Sequence, residues 1–422
     1  MPLNINKTRE QFPALSLEDN GIPRVYLDNP AGTQVPQQVL DRMSRYMIHS
    51  NANGGGDFRT SRESDAILDE AHQAMADFLN APSANEIVFG PNMTTLTYAI
   101  SRSLAHWFHP GDEIILSRMD HDANVYPWMQ IAKDRELKIK WLSFDRETYR
   151  FNLGELKSLL GAKTCLVAVN YASNAIGTIN DVTKICELAR AAGALSYIDA
   201  VQYVPHGPTD IQAIGCDFLA CSVYKFFGGH QGVLWGREAL LKKLPAYRVR
   251  PVGDKLPGRF ETGTQSHEGQ AGTLGALEYL AWIGNTMALD FQHQFSHFEG
   301  RKKRLHSAMA AIKSYEKNLS AHLIDGLQAI PGVKIHGITD RKQLDDRVPT
   351  ISFTMEGVAP QQISKRLAEE NIFVWHGHYY AVEVIDFLGL KEKGGMLRVG
   401  AAHYNTKDEI DRLIEVVANL KG

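Results

Sequence analysis

The feature of this sequence that most restricts its fold is a regular alternation of short apolar runs with amphipathic stretches over the first two thirds of its 422 residues. Such alternation is typical of an α/β fold, with a mostly parallel sheet covered by helices. Helices are predicted at 63–79, 94–108, 124–135 and 180–192. Seven runs are predicted to be strands, at 86–90, 112–117, 138–143, 165–170, 194–199, 217–222 and 232–236.

From about residue 287 the pattern changes to a long polar helix, which reaches about residue 330, followed by fewer strands and helices. This change predicts a second, smaller α+β domain packed on the first. We therefore expect an N-terminal segment, 1–30, that packs with the small domain, a large domain over 31–286 and a small domain over 287–422. The chain is long enough for one large core and one smaller core.

Charge and hydropathy argue against several classes of protein. The formal net charge is −3 without long runs of one sign, so we expect no binding to nucleic acid or to an anionic membrane. No apolar run reaches about 18 residues and no secretory signal is evident, so the expected location is the cytoplasm. The four cysteines follow no metal-binding spacing and are typical of core positions, so we expect no metal site.

One lysine, Lys225, stands at the end of a predicted buried strand, in the stretch SVYKFFGG. An ammonium group is seldom buried without a partner, because its desolvation costs several kcal/mol unless its pKa falls. The position therefore indicates chemistry at this lysine. The alternative is a lysine at a strand end whose amine extends into solvent.

Other polar side chains also follow predicted strands, at the edge where ligands of parallel sheets bind. Each alone has an ordinary structural explanation, such as capping a turn. Threonine hydroxyls where a strand passes into a helix favour phosphate. Together with Lys225 the set predicts a site for pyridoxal phosphate, made of Asp199, Gln202, Asn174, His121, Thr94 and Thr95.

Ordered motifs along nearly the whole chain resemble those of class V (fold-type I) pyridoxal-phosphate enzymes of the cysteine desulfurase-like family. They are YLDNPAGTQVP (26–36), MDHDANVYPW, SNAIGT, IDAVQ, SVYKFFGG, ETGT (261–264) and LRVGAAHYNT (397–406). The resemblance implies a large domain with a mostly parallel seven-stranded sheet, helices on both its faces, and a smaller α+β domain. It also implies an enzyme that acts on an amino acid.

The resemblance implies three central roles. The cofactor attaches covalently to Lys225, Asp199 pairs with the pyridine nitrogen, and His121 stacks on the ring. An anionic Asp199 keeps that nitrogen protonated, so the ring can accept the electron pair from a broken bond at Cα. Once the substrate displaces Lys225, its amine is a base beside Cα.

The remaining contacts implied by the resemblance surround the cofactor. Gln202 faces the phenolic oxygen, and Asn174 belongs to the same set. Thr264 reaches the phosphate of the neighbouring subunit in a homodimer whose active sites lie at the interface. The residues expected to hold the phosphate are Thr94, Thr95, Ser222 and Tyr224.

Arginines are the candidates for the substrate carboxylate. Arg398 lies in the predicted strand MLRVG, and a guanidinium matches two carboxylate oxygens, although a structural salt bridge is the alternative. Arg59 and Arg62 follow three glycines, in a stretch that in this family approaches the substrate, often from the partner subunit. A flexible surface loop is the alternative for that stretch.

The chain departs from the family at one loop. Cysteine desulfurases carry a nucleophilic cysteine there, within a stretch like RTGHHCA, whereas residues 375–381 of this chain read WHGHYYA. Tyr380 replaces the cysteine and Trp375 replaces the arginine. A phenol cannot form a persulfide, so the best-known mechanism of the family has no nucleophile at this position.

The expected function is therefore a pyridoxal-phosphate C–S lyase that works by β-elimination without a catalytic cysteine. An aminotransferase or an amino-acid epimerase of the same fold remains open, and an epimerase would need a second base, for which Tyr380, His378 or His376 are candidates. We also considered a regulatory protein that binds the cofactor without turnover. A protein without turnover is expected to have lost the base or the residue that sustains the electron sink. Lys225, Asp199 and His121 are all present, which argues against this alternative.

Overall fold

A computed structural model describes residues 3–420, so the outermost residues of the predicted terminal segments, 1–2 and 421–422, lie outside the described residues. Three short strands lie near the N-terminus: β1 Glu18–Asp19, β2 Ile22–Pro23 and β3 Val25–Tyr26. The next seven strands form one sheet: β4 Ile87–Gly90, β5 Glu113–Ser117, β6 Lys138–Leu142, β7 Thr164–Asn170, β8 Leu195–Asp199, β9 Phe218–Ser222 and β10 Gly232–Gly236.

The central sheet confirms all seven predicted strands and the predicted α/β class. Its strand order is β4-β10-β9-β8-β7-β5-β6. The five strands from β6 to β9 in this order pair in parallel, and β10 runs antiparallel to both of its neighbours. The carboxyl ends of the parallel strands therefore meet at one edge.

Helices follow the strands as the alternation indicated, with ends that differ by a few residues. Those before residue 287 are α1 Ile5–Arg9, α2 Gln37–His49, α3 Arg59–Leu79, α4 Met93–Leu104, α5 Tyr126–Asp134, α6 Leu153–Leu159, α7 Val182–Ala191, α8 Ile211–Ile214, α9 Glu238–Leu241 and α10 His267–Thr286. None of the helices in residues 3–420 combines the length and the apolar character that crossing a bilayer requires.

Both faces of the central sheet are buried, because successive side chains of a strand point to opposite faces. On β7, Val167 and Val169 lie in one core with residues of α3 and α10. Leu166 and Ala168 lie in a second core with residues of α4 and α5. A strand buried on both faces reads as a continuous apolar run, which is the pattern seen in the sequence.

The C-terminal third forms a second, four-stranded antiparallel sheet in the order β11-β12-β15-β14. Its strands are β11 Val333–His336, β12 Thr350–Met355, β14 Trp375–Gly377 and β15 Met396–Gly400, and β13 Ile372–Phe373 lies just before β14. Its helices are α11 Gly300–Gln328, α12 Pro360–Glu369, α13 Val382–Phe387 and α14 Lys407–Ala418.

The N-terminal strand contacts this C-terminal part. β3 pairs in parallel with β13, and Val25 and Leu27 share a core with Leu319 of α11 and Val399 of β15. A contact of this kind is expected if the segment 1–30 packs with the small domain, as predicted. The division into 1–30, 31–286 and 287–422 itself remains a prediction.

The prediction of a single long helix from 287 to about 330 is wrong about where that helix begins. A short 3-10 helix spans Leu289–Phe295, and α11 begins only at Gly300. Glu299 has an extended backbone, and Gly300 has a φ of +57°, in the left-handed region. Glycine adopts that conformation without steric cost, so the chain turns there and does not continue one helix.

A buried hydrogen bond joins the helix α11 to the large sheet. Glu316 of α11 is buried, and its carboxylate lies 2.8 Å from Nδ1 of His206, in the turn after β8. Burial raises the pKa of Glu316, whereas His206 opposes this shift. The pair thus connects α11 with the part of the molecule that contains the central sheet.

We predict that Glu316→Ala lowers the free energy of unfolding by about 3–5 kcal/mol, because removing one member of a buried polar pair leaves the other uncompensated. Lys317→Ala is the matched control on the same helix. Its partner Asp345 is exposed, so we expect a change of about 0–1 kcal/mol. Denaturant unfolding of the three proteins measures both values, and equal effects would contradict the proposed importance of the buried pair.

Candidate active site

Lys225 lies in a short 3-10 helix, Val223–Lys225, directly after the carboxyl end of β9. Its side chain is buried, with 8% of the residue exposed. The amine Nζ donates hydrogen bonds to the carbonyl oxygens of Pro30 and Ala31, the latter at 2.9 Å. The predicted alternative, an amine extended into solvent, is therefore wrong.

The carbonyl groups that receive this amine are fixed by the small sheet. Asp28 forms a parallel bridge with Gly400, and the side-chain amide of Asn29 donates to the Gly400 carbonyl at 2.7 Å. A Cβ at Gly400 would lie 2.0 Å from Cδ of Pro30, so only glycine admits this close approach. These contacts hold the stretch that leads to the two carbonyl groups against the end of β15.

The environment of Lys225 favours the neutral amine. Burial, together with the cation of Arg398, lowers its pKa to about 7, whereas Asp28 and Asp199 act in the opposite direction. A lysine with a pKa near neutrality is a nucleophile and a base at physiological pH.

Asp199 ends β8 and points into the same cavity as Lys225. One carboxylate oxygen accepts the backbone N–H of Val201 at 2.9 Å. Burial raises the pKa of Asp199 to about 6, while the Val201 hydrogen bond and Lys225 oppose this shift. The side chain is consequently an anion at neutral pH, and it lies at the place predicted for it.

His121 follows β5 and presents a neutral imidazole ring. Its Nδ1 accepts the backbone N–H of Ala123 at 3.0 Å, so the ring proton is on Nε2. Burial lowers the pKa of His121 to about 3, with Lys225 and Arg398 contributing to the shift. The ring stacks against that of Tyr380, with centroids 5.4 Å apart and an angle of 25° between planes.

Arg398 projects from β15 towards the same cavity. Its guanidinium lies 3.2 Å from the carboxylate of Asp28 and donates to the carbonyl of Asn174 at 3.1 Å. It also lies over the ring of Tyr379, 4.5 Å from the centroid. Its Nε is buried and has no hydrogen-bond partner among residues 3–420. Arg398 also lines the cavity that contains Lys225.

The loop that carries Tyr380 has a strained backbone. Tyr379 and Tyr380 have φ values of +53° and +59°, which are uncommon for residues with side chains. Three contacts hold them: Asn174 donates to the Tyr379 carbonyl at 2.8 Å, Asp122 N–H donates to the Tyr380 carbonyl at 2.7 Å, and the Tyr379 hydroxyl donates to the Met396 carbonyl. Such over-determined strain is typical of functional sites.

These elements enclose one cavity of about 610 Å³. Ten of the residues predicted for the site line it: Thr94, His121, Asn174, Asp199, Gln202, Ser222, Tyr224, Lys225, Tyr380 and Arg398. His378 lines the adjoining pocket beside Tyr380. The structure thus brings together most of the set that the sequence suggested.

Four predicted residues line neither pocket, namely Thr95, Thr264, Arg59 and Arg62, the last of which is exposed on α3. Thr95 is exposed, and its backbone N–H donates to the Asn92 side chain that caps α4. Thr264 is exposed in the turn before α10. Arg59 begins α3 with 85% of its side chain exposed, and it pairs with Glu63. The predicted roles of Thr264 and Arg59 involve a second subunit and remain predictions.

Sequence reasoning missed the residues that hold the lysine and the arginine. Asp28 had a signal, since a carboxylate follows β3 within a stretch that carried the family resemblance. The carbonyl groups of Pro30 and Ala31 had none, because a backbone acceptor can occur at any residue. Tyr379, beneath the guanidinium, was likewise not singled out.

Comparison with known proteins agrees with this geometry. A sequence model of the family Aminotransferase class-V matches residues 25–413. A cysteine desulfurase of Serratia proteamaculans is 32% identical over 429 residues, covering 98% of this chain and 97% of the relative. An aminotransferase-like protein of Gibberella zeae is also 32% identical, covering 97% of each chain. The apo structure of a cysteine desulfurase from Thermococcus onnurineus NA1 superposes with a TM-score of 0.86 at 25% identity, covering 99% and 98%.

The residues present fit pyridoxal phosphate. The cavity offers a primary amine for the aldehyde, a carboxylate for the pyridine nitrogen, and the N-terminus of α4 for the phosphate. Three residues of its lining, Asn174, Gln202 and Arg398, each have a buried polar atom without a hydrogen-bond partner among the described residues. Unpaired buried polar atoms are costly, so rotation of these side chains towards a polar ligand would be favourable. Within residues 3–420, no group of three or more His, Cys, Asp or Glu side chains could hold a metal ion.

The match over nearly the whole chain, the shared fold and the fit of the cavity lead to one assignment. This chain belongs to the aminotransferase class-V family, among its cysteine desulfurase-like members, and is a pyridoxal-phosphate-dependent enzyme.

Proposed function

We propose that this enzyme is a C–S lyase, which removes a sulfur substituent from the β-carbon of an amino acid without a protein cysteine. The observation that carries the proposal is a buried amine, Lys225, in one cavity with Asp199 and Arg398, while Tyr380 occupies the loop position of the family's cysteine. The bound cofactor supplies a sink for the electron pair released when a bond at Cα breaks.

The residues that would hold the cofactor are those of the cavity floor. Lys225 would attach it, Asp199 would pair with the pyridine nitrogen, His121 would stack on the ring and Gln202 would face the phenolic oxygen. The phosphate would lie at the N-terminus of α4 with Thr94, Ser222 and Tyr224, all of which line the cavity. Asn174 contributes a buried oxygen without a partner among residues 3–420.

Two basic side chains of this chain perform the remaining steps. Arg398 would bind the α-carboxylate, because it lines the cavity and its position is fixed by Asp28 and Asn174. The carboxylate is thereby oriented so that the Cα–H bond faces Lys225. The neutral Nζ of Lys225 then takes the Cα proton, and the sulfur substituent leaves from the β-carbon.

The cysteines of the chain support a route that does not use them. Cys186, Cys216 and Cys221 are buried and Cys165 is partly buried. Burial raises the pKa of Cys165 and of Cys186 to about 12, and it raises the pKa of the other two as well. A buried thiol that stays protonated is a poor nucleophile.

A homodimer and a cytoplasmic location belong to the same proposal. Thr264 and Arg59 are exposed and do not line the cavity of their own chain, which suits residues that serve a neighbouring subunit. Exposed apolar side chains near the start of the large domain, Leu40, Met47, Ile48 and Phe58, offer a surface for such a subunit.

Incubation with S-substituted cysteines tests the reaction. We expect pyruvate, ammonia and the free thiol in equal amounts, since elimination and hydrolysis convert one substrate molecule into one of each. A chromatographic assay of all three measures this, with Lys225→Ala as the control lacking the base. Formation of a keto acid with amino transfer would indicate an aminotransferase, D-amino acid would indicate an epimerase, and no reaction with any amino acid would favour a regulatory role.

The pKa of Lys225 predicts how the protein without cofactor takes it up. The attacking amine must be neutral, and a lowered pKa makes it neutral above about pH 7. We therefore expect the rate of covalent attachment, followed by visible absorbance, to rise with pH to half its maximum near pH 7. Arg398→Gln removes a cation that lowers this pKa, so its profile should move to higher pH.

Arg366→Gln, at an exposed position on α12, is the matched control and should leave the profile unchanged. A wild-type profile centred near pH 10 would mean that Lys225 is not buried as described.

Replacing Cys216 and Cys221 by alanine should leave most of the lyase activity in a variant with the cofactor content of the wild type, because neither thiol reaches the substrate. The measurement is the rate of thiol release, together with mass spectrometry of the protein after turnover. A substrate-dependent persulfide on any cysteine, with activity lost when that cysteine alone is replaced, would restore an ordinary desulfurase mechanism.

A further inference from the structure

The outer half of the cavity is lined by three exposed aromatic side chains and one carboxylate. Tyr126, Trp375 and Tyr380 are 45%, 55% and 67% exposed, and with Asp122 they line the cavity that contains Lys225. Exposed apolar surface of this kind often marks a site that binds a ligand or a partner. We call these four residues the outer rim.

The fold fixes the outer rim relative to the predicted carboxylate site. Trp375 of β14 stands directly opposite Arg398 of β15, so the two side chains lie on the same face of the small sheet. Tyr380 stacks on His121, and the N–H of the next residue, Asp122, donates to the Tyr380 carbonyl at 2.7 Å. The outer rim therefore lies directly beside Arg398 and His121, two residues predicted to face the substrate and the cofactor.

The charges of the cavity lining leave one group without a partner. Lys225, Asp199 and Arg398 each have a role in the proposed function. The carboxylate of Asp122 makes no hydrogen bond or salt bridge with any residue in 3–420, although it is partly buried. It is the remaining fixed charge of the lining within these residues.

The nearby His378 forms no ion pair with this carboxylate. Its Nδ1 accepts the backbone N–H of Tyr380 at 3.0 Å, so that ring nitrogen is directed at the backbone. Partial burial raises the pKa of Asp122, and His378 opposes this shift. Among residues 3–420 the carboxylate therefore has no hydrogen-bonded cationic partner.

We propose that the outer rim binds the positively charged end of the substrate's side chain, an ammonium or a guanidinium group. A carboxylate attracts such a cation, and the faces of Tyr126, Trp375 and Tyr380 stabilise it further by cation–π interaction. The inference rests on the proposed function for the assignment of the α-carboxylate to Arg398. It narrows the substrate to amino acids whose leaving group or side chain ends in a cation.

Binding and cleavage test this inference separately. Lysine and 2-aminoheptanoate are matched in length, lack a sulfur leaving group and differ in the terminal charge. Calorimetric titration of the holoenzyme should give about tenfold tighter binding of lysine, the size of effect expected for a partly desolvated cation–π contact. Among substrates, S-(2-aminoethyl)cysteine should have a kcat/KM about tenfold above that of S-propylcysteine, and S-carboxymethylcysteine should be the poorest.

Variants assign the preference to the rim. Asp122→Asn should lower the lysine to 2-aminoheptanoate affinity ratio to about one third or less, because it removes the charge, and Asp122→Glu should keep the preference. Asp134→Asn, at an exposed position at the end of α5, is the matched control and should leave the ratio unchanged. If Asp122→Asn fails to fold, the affinities of the wild-type protein for lysine and 2-aminoheptanoate still test the inference.

The two proposals fail in different ways. Equal binding of lysine and 2-aminoheptanoate, or tighter binding of the neutral ligand, overturns the inference even if the S-substituted cysteines are cleaved. Tighter binding of lysine without cleavage of any S-substituted cysteine supports the inference and overturns the lyase proposal.

Discussion

The amine of Lys225 is buried between two halves of the chain, and the organisation of the site depends on how it is held there. Its acceptors, the carbonyl groups of Pro30 and Ala31, follow β3, and Pro30 packs closely on Gly400 at the end of β15. The lysine itself follows a strand of the large sheet. The two parts must therefore be correctly packed before the amine is desolvated, and desolvation is what makes it a base at neutral pH.

The electrostatics of the cavity follow from the same burial. Low dielectric shifts the pKa of Lys225 down to about 7, that of Asp199 up to about 6 and that of His121 down to about 3. Near neutral pH the site thus contains a base, an anion and an uncharged ring within one small volume. This is the combination that a cofactor with a pyridinium ring and an aldehyde requires, and groups with strongly shifted pKa values are frequent in active sites.

The proposed chemistry and the proposed specificity depend on different residues of the cavity. Lys225 and Asp199 lie in motifs that resemble those of the family, whereas Tyr380 and Trp375 stand where the resemblance implies a cysteine and an arginine. The departure is not a loose loop, because Tyr379 and Tyr380 keep left-handed backbone conformations that three neighbouring groups hold in place. Strain of this kind, at about 1–3 kcal/mol per residue, persists where the position of a side chain matters.

The sequence by itself determined the seven strands, the α/β class and the positions of Lys225 and Asp199 at strand ends, because periodicity and strand length are local properties. It did not determine the break before α11, which depends on the backbone angle of Gly300. Nor did it reveal the pairing of Asp28 with Arg398 or the carbonyl groups that receive Lys225, since these partners stand 370 and 195 positions apart along the chain. Only packing brings such residues together, and a backbone carbonyl has no signature in the sequence. The tertiary structure therefore decided which charges of the cavity lining are paired, and it leaves the carboxylate of Asp122 without such a pair among residues 3–420.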